Sequence, residues 1–139
     1  MRRSDRTSVP VLVRLRLLGE IFAAYAQARW RLLRGDLPSA VACVRERARR
    51  LSSANAPLQD DPRRLVSIAI RVLERIPFDS RCLMRSLVVL GMLARRGVET
   101  RLVIGVELES EFAAHAWLER DGVAVLPAGS FASGRLTAL

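Results

Sequence analysis

From Val11 to Leu33, apolar residues recur at Leu15, Leu18, Ile21, Phe22, Tyr25, Ala26, Trp30 and Leu33. That is the 3.6-residue spacing of an amphipathic helix, with Arg16, Glu20, Gln27 and Arg31 largely off the stripe. Gly35-Asp36 ends it, and Pro38 opens a second helix running to about Leu51. Residues 52–62 are polar and interrupted by Pro57 and Pro62, the composition of a loop. A third helix begins at Asp61 or Pro62 and runs to about Arg75. Its apolar positions, Leu65, Ile68, Ala69, Val72 and Leu73, share one face, and it stops before Pro77.

The second half changes period. Asp79 or Ser80 can cap a helix covering about Arg81 to Arg96, which Gly97 terminates. Three strand-like runs follow, at Arg101–Glu107, Phe112–Arg120 and Val123–Leu126. Asp121-Gly122, between the last two, is a strong hairpin signal. Helices followed by a cysteine-bearing helix and an antiparallel meander make an α+β fold. At 139 residues, half of them hydrophobic, the chain suits a single domain spanning 1–139.

Charge separates the halves. All 23 basic residues are arginine. Sixteen of them face 7 acids in residues 1–75, whereas residues 76–139 hold 7 of each. A basic helical front half would attract nucleic acid, an anionic lipid surface or an acidic peptide. The plainer alternative is that these arginines solvate the outer faces of helices. No helix-turn-helix or base-stacking pattern accompanies them, so nucleic acid is not an expected partner. The apolar stretch at residues 9–18 contains Arg14 and Arg16 and is too short to span a bilayer. No signal peptide is evident, and the expected location is the cytoplasm.

Two cysteines cannot form a disulfide framework, and one histidine leaves a Cys/His zinc site without a ligand set. Neither a metal nor another cofactor is expected. Cys43 lies mid-helix among Val41, Ala42 and Val44, where a cysteine acts as a small apolar residue. Cys82 falls in the first turn of its helix, where unpaired N–H groups and the helix dipole favour an anion. Helix N-termini are among the environments that favour the thiolate, the attacking form of cysteine. Arg81 and Arg85 add positive charge nearby. His115 lies mid-strand between Ala114 and Ala116, small neighbours that leave room for a substrate. A histidine there can act as general base. Taken singly, each residue is as readily a buried structural one. Together they form the Cys/His arrangement that activates a nucleophile.

The segments Cys82-Leu83-Met84-Arg85-Ser86-Leu87, Leu93-Ala94-Arg95-Arg96-Gly97, Ile104-Gly105-Val106 and Ala114-His115-Ala116-Trp117-Leu118-Glu119 resemble one family. It is the transglutaminase-like cysteine peptidases that remove the leader from lasso-peptide precursors. The resemblance covers about residues 78–125 and implies a transglutaminase/papain-like core. It also implies Cys82 as catalytic nucleophile and His115 as its base. The chain length resembles the freestanding peptidase of split systems. There the implied partners are the precursor peptide, a separate leader-recognition protein and, beyond them, the lasso cyclase.

One position departs from that pattern. The family usually carries an aspartate about a dozen residues after the histidine, on the neighbouring strand, whereas this chain reads Val125-Leu126-Pro127-Ala128. A turn at Asp121-Gly122 sets residues 127 and 128 opposite His115, within one residue of register. Asp121 is about 20 Å along the strand from His115 and Glu119 about 13 Å, so neither reaches the imidazole. A Cys–His dyad, an orienting group from elsewhere (Asn55, Ser130 or a backbone carbonyl) and a weakened enzyme all remain open. So do two other functions: acyl transfer through the same thioester, and a non-catalytic basic module that grips nucleic acid or membrane.

Overall fold

The computed structural model describes residues 10–52, 56–57, 60–77, 82–107, 113–126 and 135–138, of which 106, 107, 113 and 135–138 are described by their backbone alone. Four helices, α1 (Val11–Arg34), α2 (Leu37–Arg50), α3 (Pro62–Arg75) and α4 (Cys82–Arg95), precede the strands β1 (Arg101–Glu107), β2 (Ala113–Arg120), β3 (Val123–Ala124) and β4 (Arg135–Ala138). The fold is α+β, as the periodicities predict. Asp36 caps α2 by accepting from the Ser39 N–H at 3.4 Å, and Asp61 caps α3 by accepting from the Arg64 N–H at 3.1 Å. Both caps precede a proline in the first turn, where a missing N–H costs nothing. The expected cap of α4, at Asp79 or Ser80, lies outside the described residues.

The middle of the molecule is α4. Met84, Leu87, Val88, Val89, Leu90, Met92 and Leu93 are all buried. A helix that is apolar on every side must be covered on every side, and α1, α2, α3, β1 and β2 all pack on it. The crossing with α2 is close: a Cβ on Gly91 would stand 3.0 Å from Val44 Cγ1.

In α1 the buried face differs from the predicted stripe. Leu17, Ile21, Tyr25 and Ala28 point inward, whereas Leu15, Phe22, Trp30 and Leu33 are exposed. Two interactions account for this rotation. The guanidinium groups of Arg31 and Arg34 cover the Trp30 ring at 4.7 and 4.6 Å from its centroid, a cation–π arrangement that holds the indole at the surface. Glu20, placed off the stripe by its polarity, turns toward the protein and meets Arg96. Arg96 Nη1 and Nη2 donate to its two carboxylate oxygens at 2.7 and 2.9 Å. Arg96 also donates to the carbonyls of Pro57 and Met92, so its fully buried charge is paired and hydrogen-bonded.

The sheet has the order β3-β2-β1-β4 with antiparallel neighbours. It is a meander extended by β4, a strand absent from the sequence prediction, which returns to the free side of β1. The third strand is shorter than the predicted run 123–126. Asp121 and Gly122 have φ of 52° and 80°, the pair of positive values a type I′ turn requires.

The arginines of α2 are not uniformly a solvated face. Arg45 is half-buried and donates to the Thr100 carbonyl at 2.7 Å, tying α2 to the start of the sheet. Burial is the main influence holding its guanidinium below its ordinary pKa; Glu99 opposes the shift, while Arg49 and Arg101 reinforce it. Arg49 and Arg50 remain at the surface, paired with Glu99 and Glu46. Among the described residues, no helix is long and apolar enough to cross a membrane.

Candidate functional site

Cys82 is the first residue of α4 and half-buried, so its thiol stands at the end of the central helix. Its Sγ accepts a hydrogen bond from the backbone N–H of Ala116 at 3.3 Å. That nitrogen is the one joining Ala116 to His115. The helix start and the middle of β2, 33 positions apart in the chain, are therefore brought within one peptide unit of each other. Cys43 is a free, half-buried thiol on α2.

The pairing of β2 explains why an amide is available there. On one side β1 pairs with β2 from Ala113 to Glu119, Gly105 opposite His115 and Ile104 opposite Ala116. On the other, β3 pairs only with Glu119 and Arg120, and the Val125 N–H adds a bond to the Leu118 carbonyl at 2.8 Å. Two residues further along, side chains from α4 take over. Cys82 Sγ accepts from the Ala116 N–H, and Ser86 Oγ donates to the Ala116 carbonyl at 3.2 Å. Cys82 and Ser86 are four residues apart, which stacks them on one face of the helix.

His115 is half-exposed beside Trp117, with ring centroids 6.1 Å apart and planes inclined by 24°. The Trp117 indole N–H donates to Glu119 at 3.0 Å. Trp117 thus touches both His115 and Glu119. The observed β2–β3 pairs carry the register set by the Asp121-Gly122 turn. Pro127 and Ala128, the neighbourhood in which the resemblance implies an orienting carboxylate, lie outside the described residues. So do the alternatives Asn55 and Ser130, and Arg81 beside the cysteine.

Sequence reasoning missed the roles of Ala116 and Ser86. The Ala116 contact is made by a main-chain group, which any residue but proline carries. Ser86 was visible only as one letter of the CLMRSL segment. The available signal was a lone hydroxyl among Leu83, Met84, Leu87, Val88 and Val89 on a helix of apolar residues, since a buried hydroxyl requires a partner.

The profile of the transglutaminase-like superfamily matches residues 22–135, which is most of the chain and includes Cys82 and His115. No curated protein and no solved structure matches. The chain belongs to the transglutaminase-like superfamily, whose members are in general cysteine-dependent enzymes.

Proposed function

We propose that this transglutaminase-like protein is a cysteine endopeptidase that removes the leader from a lasso-peptide precursor, with Cys82 as nucleophile and His115 as base. The observation that carries the reading is the meeting of Cys82 Sγ with the peptide nitrogen next to His115, at the start of a buried helix. The resemblance of the segments around these two residues supplies the substrate.

In the proposed reaction His115 takes the thiol proton, and sulfur attacks the carbonyl at the leader's end. The negative charge that develops on the carbonyl oxygen is favoured beside the free N–H groups of a helix start. The C–N bond breaks, the leaving amine takes its proton from His115, and a thioester remains on Cys82. Water activated by the same imidazole then releases the leader as a carboxylic acid and restores the thiol. An amine in place of water would give acyl transfer, so the choice between the two reactions rests on which acceptor reaches the thioester. The freed core peptide would pass to a cyclase, and a separate leader-recognition protein would present the precursor.

The experiment is to incubate precursor peptide with the wild type, Cys43→Ala, Cys82→Ala and His115→Ala, with and without the recognition partner, and to weigh the products. Cleavage by the wild type and Cys43→Ala but not by the other two is the expected result. Equal cleavage by Cys82→Ala would refute the nucleophile. An amine adduct in place of the free acid would turn the reading to acyl transfer.

A further inference from the structure

We infer that Ser86 is a positioning residue for the Cys82 thiolate: by fixing the carbonyl of Ala116 it holds the N–H of the same residue on the sulfur. The inference rests on the proposed role of Cys82 and extends it to two groups that neither the motif nor the family match assigns.

A serine inside a helix ordinarily bonds back to the carbonyl one turn earlier, which for Ser86 is the carbonyl of Cys82. Here the hydroxyl reaches across to the strand and donates to Ala116 O at 3.2 Å. Ser86 is fully buried. Ala116 is buried as well, and β3 does not reach it. Both main-chain groups of Ala116 are therefore held by α4, the carbonyl by Ser86 and the N–H by Cys82. Two bonds one helical turn apart fix where residue 116 sits along α4. Losing the upper one loosens the seat of α4 against β2, whose own register the ladder with β1 still fixes, and the N–H at 3.3 Å from sulfur no longer has an enforced direction.

The chemistry of the lower bond gives it a consequence. A hydrogen bond from an N–H to a sulfur anion is stronger than one to a neutral thiol, and it holds the sulfur in one place. With the bond, the reactivity of Cys82 should be about three- to tenfold higher than without it. A serine present only to satisfy a buried carbonyl would leave that reactivity unchanged.

The test measures the rate at which iodoacetamide alkylates Cys82 relative to Cys43 in the same molecule at neutral pH, read by mass spectrometry of proteolytic fragments. In the wild type Cys82 should react faster; if it does not, the proposed nucleophile fails and this inference fails with it. With a fast wild type, Ser86→Ala should lower the ratio by about two- to fivefold and Ser86→Thr, which keeps the hydroxyl, should restore it. An unchanged ratio in Ser86→Ala overturns the role of Ser86 while leaving Cys82 as nucleophile. Because Ser86 is buried, Ser86→Ala could loosen the fold and raise labelling of both cysteines. An ester substitution therefore stands beside it: lactate in place of Ala116 keeps the methyl group and replaces the N–H with an ester oxygen, weakening the adjoining His115 carbonyl as an acceptor but touching nothing of Ser86. It should lower the ratio by about three- to tenfold, and a ratio equal to that of the wild type refutes the hydrogen bond as the cause.

Discussion

The two ends of α4 are built on opposite terms. At its C-terminal end the backbone is capped and a buried charge is paired. Gly97, with φ of 74°, and Val98 close a Schellman motif, their N–H groups bonding to the Ala94 and Leu93 carbonyls at 3.0 Å each. Arg96 is locked into Glu20 and two carbonyls. At the N-terminal end stands a half-buried thiol held by one backbone N–H. One helix thus joins a closed, charge-paired anchor to a sparsely bonded reactive group. The difference teaches that stability and reactivity can be perturbed separately, since the residues responsible lie at least nine positions apart on a rigid rod.

The sharpest way to break this division is Glu20→Ala, which strands the buried Arg96 charge. A loss of about 3–5 kcal/mol is expected, read from the chemical-denaturation midpoint. Cys82→Ala should cost about 1 kcal/mol or less. Comparable losses from the two would show that the thiol end also carries the fold. Next in size is Gly97→Ala, which forces a side chain into the left-handed region at the close of α4. About 1–2 kcal/mol is expected, with the Cys82-to-Cys43 alkylation ratio unchanged; a fallen ratio would couple the ends. The smallest effect belongs to Arg49→Ala. Its 3.4 Å pair with Glu99 joins side chains that are 63% and 86% exposed, so a change within about 0.5 kcal/mol is expected. A larger loss in a thermal melt would mean that charge pairing alone, without burial, secures this end.

Much of this architecture was legible where a local residue preference sets a boundary. Gly35, the caps Asp36 and Asp61, Pro38, Pro62 and Gly97 mark helix ends, and Asp121-Gly122 marks the hairpin. What escaped was set by distant partners. Glu20 faces inward because of Arg96, 76 residues on, and no periodicity can carry that information. β4 is four residues long and is defined by pairing with β1 across thirty or more positions. The same contrast holds at the site. Cys82 at a helix start and His115 on a strand carry side-chain chemistry that can be read from the chain. The amide of Ala116 is common to nearly every residue and becomes distinctive only when α4 is laid against β2.

The ladder between β1 and β2, seven residue pairs without an irregularity, governs how this protein tolerates changes of length. With the two-residue turn at Asp121-Gly122 fixing the other end, β2 has no slack. Removing one residue between Ala116 and the turn would present a neighbour wherever each side chain now stands, and put an alanine in the place of His115. Changes of length that keep every rung have to fall outside the two paired strands. A library aimed at new substrates should therefore vary only composition within β2.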